Sequence, residues 1–353
     1  MTFDLRTFVD EQLRADWAEL AEQVGTRFAS RPSYGLSWHR HLARGPLRIA
    51  TVHRDGRLVA LLPLHERRRF GVTVLRLLGH GLGTVSEALA TDEQALTDLV
   101  AGLATTGSVI ELTHLPASSP LVTAVHRDPG WDSTLDPDDH CPVIELPVGT
   151  RAADLRSKST LSRAASTRRK LEREGASLQV ETVRTPAELD ARWDDIVATA
   201  AAAQNDEGDD RLNLCAPPHD QFTREFLRQE AADGHLLLWG GTFGGIWGAH
   251  FATLRTGHTA ELWFTRFDPD RGRSRPGHLL IEAVCDQHDD VDVTRVDLLI
   301  GRSRYKRDWQ SHEYAVGTLT AVPAGNRTAR SRMAAAEHSV RILRAVAERA
   351  RRP

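Results

Sequence analysis

HLLLWGGTFGGIWGAHFATLRTGHTAELWFTRFDPDRGRSRPGHLL, residues 235–280, contains three apolar-rich runs parted by the short segments FGG and RTGH. Runs of this length, rich in aliphatic and aromatic residues and bounded by glycine turns, predict a meander of three antiparallel strands. A helix should follow at His278–His288, because Pro276 suits a first helical turn. Arg271, Arg273 and Arg275 stand just ahead of it. A helix N-terminus leaves backbone N–H groups unpaired and carries the positive end of the dipole, so RGRSRPGH is a candidate phosphate loop. An ordinary Pro-Gly turn beside a solvated charge cluster would read the same way.

Working outward, Asp154–Glu174 reads as a basic helix, SLQVETV as a strand, and Pro186–Ala203 as a helix with proline in its first turn. Gln204–Pro218 is a loop and His219–Ala232 a helix; beyond the meander, VTRVDLLI and SHEYAVGTLTAV read as strands. The first half shows a similar order. A helix over Leu5–Phe28 ends before Pro32, and LRIATVH, RLVALLPLHER and VTVLRLLG form strands, the first two joined at Asp55-Gly56. A helix over Asp92–Leu103, a strand SVIELTHL, a serine-capped helix SSPLVTAVHRD and the segment CPVIELP complete it. Helix, meander, helix and strand recurring after about 180 residues suggest a duplicated unit. Two unrelated α+β domains are the alternative. The expected fold class is α/β (α+β): two tandem units at 1–150 and 151–325, each a mixed, mostly antiparallel sheet flanked by helices. Residues 326–353 form an arginine-rich helical tail.

The chain has 353 residues, 41% apolar and 26% charged, enough for real hydrophobic cores and against a disordered or fibrous protein. No apolar stretch approaches the roughly 20 residues of a membrane helix. The opening residues lack secretory-signal features, so a cytoplasmic location is expected. A formal charge of -3 argues against a polyelectrolyte built to coat nucleic acid or anionic membranes. Cys141, Cys215 and Cys285 are too scattered for a disulfide framework or a CxxC metal site, so buried free thiols and no metal are expected.

Phe267-Asp268-Pro269 at a strand end, then Ser274, Pro276, Gly277, Leu279 and Leu280 at a helix start, then Asp297, Gly301, Tyr305, Lys306 and Trp309, occur in that order. This pattern resembles the CelD/BioF-like branch of the GNAT acyltransferase superfamily, most strongly over residues 151–320. The first half looks like a degenerate copy, with Leu75–Gly79 as its recognisable strand end. The resemblance implies a tandem GNAT fold related to the Fem peptidyltransferases, and acyl transfer to an amine. It places an acyl-CoA cosubstrate against Phe264, Thr265, Arg273, Ser274, Arg275, Pro276, Gly277 and His278. Pro276 departs from the ordinary GNAT pyrophosphate signature.

Direct transfer needs a deprotonated amine, an oxyanion donor and a proton for the leaving group. Glu261, on the strand before the phosphate loop, is the first candidate base, against a solvent-facing strand residue as the plain reading. His250 is the second, against a core histidine. Tyr305 is placed to protonate a leaving thiolate and Lys306 to hold a phosphate or carboxylate, beyond the strand carrying Asp297. Only Lys158, Lys170 and Lys306 among 45 basic residues are lysines, a hint that arginine does not replace Lys306. Trp263 and Trp309 are expected to be core residues. No GxSxG or Cys/His setting supports a nucleophilic triad. The helix Lys158–Arg173 could grip a tRNA, although no aromatic residue interleaves its charges. The functional alternatives are a Fem-like aminoacyl-tRNA-dependent transferase and a non-catalytic binding module in polysaccharide or envelope assembly.

Overall fold

In the computed structural model, residues 1–25, 27–69, 71–204, 212–326, 328–329 and 331–332 are described. The first half runs β1 (Thr2–Arg6), α1 (Glu11–Val24), α2 (Pro32–Leu42), β2 (Leu47–Arg54), β3 (Arg57–Arg69), β4 (Val72–Leu77), β5 (Leu89–Ala90), α3 (Glu93–Thr105), β6 (Val109–Pro116), α4 (Pro120–Arg127) and β7 (Trp131–Glu145). After α5 (Ala152–Leu155) and α6 (Lys158–Arg173), the second half runs β8 (Leu178–Val183), α7 (Pro186–Gln204), α8 (Asp220–Ala232), β9 (Leu236–Phe243), β10 (Ile246–Thr256), β11 (Thr259–Phe267), α9 (Pro276–Gln287), β12 (Arg295–Asp297), α10 (Arg304–Trp309) and β13 (His312–Pro323). Apart from the short β5, the two successions are the same.

Several local expectations are corrected. Leu5 lies in a strand, and the first helix begins only at Glu11, where the Asp10 carboxylate accepts from the Leu13 N–H. Pro32 starts α2 instead of merely ending a helix, because its missing N–H is one that a first turn leaves unpaired anyway. The long basic helix is broken at Arg156, and a second start is capped by the Ser157 hydroxyl. VTRVDLLI keeps only three residues in a strand. The meander stands as read: Gly244 and Gly245 turn between β9 and β10 with φ of 61° and 82°, in the left-handed region glycine adopts at little cost. Residues 205–211 of the loop and almost all of the arginine-rich tail lie outside the described residues.

Among the described residues thirteen strands form one sheet in the order β1-β2-β3-β4-β6-β13-β7-β12-β11-β10-β9-β8, with β5 on β3. In each half two central strands run parallel, β4 beside β6 and β11 beside β12. The last strands are exchanged. β7 of the first half pairs with β12 (Glu145 facing Arg295), while β13 of the second pairs with β6 (Val316 facing Pro116) and along β7. The 150/151 boundary therefore divides the chain but not the sheet.

Helices α2 and α8 pack across the junction of the halves over a shared core. There the rings of Phe28, Tyr34, Phe222, Phe226 and Trp263 meet at centroid distances of 5.1 to 6.1 Å. Arg31 of the first half donates to Glu230 of the second at 2.6 Å, both buried. The three cysteines are free and buried.

Candidate acyl-donor groove

β11 and β12 pair only from Thr259↔Arg295 to Glu261↔Asp297, and then they part. Ala252 of β10 faces Phe264 of β11 and Thr253 faces Leu262, so Trp263 is the extra residue of a bulge that bends β11. On the other side, Leu299 takes φ 52° and Gly301 φ 101°, carrying the chain out of the sheet. The Lys306 ammonium fastens this detour, donating to the Leu298 carbonyl at 2.6 Å and the Ile300 carbonyl at 2.8 Å. The opening is a cavity of about 310 Å³ with Trp263, Phe264 and Thr265 on one wall and Gly301, Tyr305 and Lys306 on the other. Leu82 of the first half also lines it.

Tyr305 lines as well a second cavity, of about 400 Å³, at the head of α9, with Phe267, Arg275, Pro276, Gly277, His278 and Arg304. Among the described residues no side chain caps this helix, and Arg275, with φ 50°, precedes its first turn. A Cβ added at Gly277 would lie 3.6 Å from the Tyr305 ring, so glycine keeps the passage between ring and helix open. His278 accepts at Nδ1 from the Trp309 indole at 3.1 Å, and burial holds it below its usual pKa. Trp309 is buried, as a core residue should be. Ser274 faces a crevice between α6 and α9 instead. The Arg273 side chain lies outside the described residues.

Neither Glu261 nor His250 is among the residues lining these cavities. Glu261 is fully buried and both its oxygens are engaged, Oε1 by the Arg27 guanidinium at 3.0 Å and Oε2 by the Phe28 N–H at 2.8 Å. Arg27 also donates to Asp297 at 2.6 Å, and the Tyr314 hydroxyl donates to Asp297 at 2.7 Å. Burial raises the Glu261 carboxyl and Arg27 opposes that rise. Burial would lower the Arg27 guanidinium, but Glu261 and Asp297 more than reverse it. The trio thus braces the point where the strands part. In the first half the corresponding place, one residue beyond Leu75↔Ile110, carries Arg76 bonded to Glu111 at 2.6 Å. The second half has two acids there and takes its cation from the first, a partnership between residues 234 and 270 positions apart. His250 is fully buried and pushed down to about 3 by burial, then by Arg266; the Trp247 indole donates to its Nδ1. It is a neutral core histidine.

On the basic helix, Arg168 donates to Glu282 of α9 at 2.8 Å, which ties α6 beside the head of α9. Arg169 and Arg173 are exposed.

Residues 158–307 match the family model described as acetyltransferase (GNAT) domain. No curated protein matches the chain. Similar solved structures include the C-terminal domain of a putative lysylphosphatidylglycerol synthetase from Agrobacterium fabrum, at 13% identity and TM-score 0.58, covering 93% of this chain and 97% of that one. L-PGS from Bacillus licheniformis aligns at 11% identity and TM-score 0.57, covering 92% and 95%. FemX aligns at 9% identity and TM-score 0.62, covering 92% and 98%. At such identities the likeness is one of fold.

Proposed function

We propose that the protein, whose residues 158–307 match the model of the GNAT acetyltransferase domain, moves an acyl group from an acyl-CoA directly to an amine. The reading also places it in the CelD/BioF-like branch. One observation carries it: the groove between the parted β11 and β12 meets, at Tyr305, an uncapped helix N-terminus flanked by Arg275 and Arg304. An extended thioester arm suits the mostly apolar groove, and a diphosphate suits the helix mouth, where N–H groups, dipole and guanidinium groups add. Tyr305, at the junction, gives the proton to the departing sulfur as the new amide bond forms. Lys306 acts through the loop it holds, not by touching a phosphate.

A second reading, transfer from aminoacyl-tRNA, draws on α6. Residues 158–173 carry six bases against Glu172, and the helix lies beside the head of α9. Salt separates the two readings. CoA affinity should fall gently with ionic strength, whereas a tRNA would release many counterions and lose about a hundredfold or more between about 50 and 200 mM salt. Arg169→Glu with Arg173→Glu should leave CoA-dependent turnover near parental; Arg168 is unsuitable because Glu282 holds it. Loss of activity in that double variant, with a steep salt slope, would replace the CoA reading by the tRNA one.

A further inference from the structure

A cavity of about 890 Å³ lies in the first half between α3 and α4, larger than either part of the donor groove and within the ~300–1,000 Å³ range of ligand sites. By the repeat, α3 and α4 correspond to α9 and α10, so this is the first copy's counterpart of the donor mouth. Its charge is reversed. Where arginines precede α9, the head of α3 carries Asp92 and Glu93, and the Asp92 carboxylate already accepts from the Ala95 N–H, so a phosphate would meet carboxylates and a capped helix. Ala88, Leu96 and Leu121 give the cavity apolar walls.

Glu87 stands in that wall. The Ser119 hydroxyl donates to it, and among the described residues it makes no ion pair. The other inner charge, Arg27, is taken up by Glu261 and Asp297. At the rim, Arg127 lies 3.6 Å from Glu93. A carboxyl buried against apolar walls and making no ion pair among the described residues is what an alkylammonium ligand would complete. Arg27 lines this cavity and at the same time bonds Glu261 and Asp297, the last paired residues before β11 and β12 part.

We propose that the first-half cavity is the acceptor site and binds a protonated primary amine on an apolar body, Glu87 pairing with the ammonium; this rests on the acyltransfer reading. Burial pushes the Glu87 carboxyl up to about 7, with Ser119 and Arg27 opposing, so a cationic ligand should draw out its proton.

The test is calorimetric titration of the whole chain, without donor, using hexylamine and its neutral counterpart hexanol. Hexylamine should bind about tenfold or more tightly than hexanol. Glu87→Gln and Thr97→Trp, the latter filling the cavity from an exposed helix position, should each weaken the amine about tenfold or more. Gly277→Trp should leave it unchanged. No binding of hexylamine, equal binding of amine and alcohol, or undiminished affinity in both cavity variants overturns the proposal. If hexylamine binds as described but accepts no acyl group from acetyl-, octanoyl- or palmitoyl-CoA, the amine site stands and the CoA reading falls. If transfer proceeds and Thr97→Trp leaves the acceptor KM at the parental value, the acceptor assignment falls and the CoA reading stands.

Discussion

Glu261, Asp297 and Arg27 share one buried cluster, so removing the cation has a different consequence from removing either acid. Arg27→Met would strand two carboxylates away from water, and breaking a buried pair by deleting one partner costs about 3–5 kcal/mol. Glu261→Gln should cost less, since Arg27 keeps Asp297 and the Phe28 N–H keeps an acceptor. Urea unfolding measures both; an Arg27→Met variant as stable as the parent would mean that water reaches the cluster. Other buried residues set the response to pH. His65 and His80 are pushed down to about 4 and His250 to about 3, in each case first by burial. An unfolded histidine titrates near 6.5, so the unfolded chain binds more protons and stability is lost as pH falls from about 6.5 toward 4. Glu87, raised to about 7, works the other way, its contribution being lost as pH rises from about 4.5 to 7. Together with His114, His219 and His278, also held low by burial, these histidines outweigh the two raised carboxyls, Glu87 and Glu261. The urea midpoint should therefore be lower at about pH 5 than at about pH 7.5, and Glu87→Gln should steepen the difference. A midpoint independent of pH would show that the histidines protonate within the fold.

At the scale of elements, the detour of Leu298–Gly301 is where α10 acts on the groove. Lys306 gathers the Leu298 and Ile300 carbonyls, and more distantly that of Leu299, onto one ammonium, a geometry for which a planar guanidinium fork is poorly shaped. Lys306→Arg should weaken CoA binding about tenfold while lowering stability by about 1–2 kcal/mol; unchanged CoA affinity would free the groove from dependence on this clamp. The rarity of lysine in the chain hinted at this residue, but not at its carbonyl partners. The meander β9 to β11 and the start of α9 were legible because apolar runs, glycine turns and Pro276 are local signals. β12 was overread, since Leu298–Ile300 has strand composition yet leaves the ladder. Pro32 was misread because one residue can end one helix and open the next. Glu261 and Asp297 could be singled out in the sequence; their bracing role could not, because Arg27 reaches them only through the fold. The first-half cavity left no signal at all, its walls coming from α3, α4 and the segment before β5.

For the whole molecule, the exchange of β7 and β13 makes each half depend on the other. Among the described residues β13 pairs only with β6 and β7, both within residues 1–150, and β12 loses its neighbour on one side if β7 is removed. A fragment of residues 151–326 would thus keep the donor-groove residues but expose the edge of a three-residue strand and leave the twelve-residue β13 unpaired. The shared aromatic core would be opened as well, since Phe28 and Tyr34 would leave Phe222, Phe226 and Trp263 facing water. That fragment should show no cooperative melt and no CoA binding, while mixing or co-expressing it with residues 1–150 should restore both. The intact chain should unfold in one transition, because the sheet and the shared core are common to both halves. A fragment of residues 151–326 that melts cooperatively and binds CoA by itself would show that the exchanged strands are dispensable. The second copy would then be a complete acyl-donor domain in its own right.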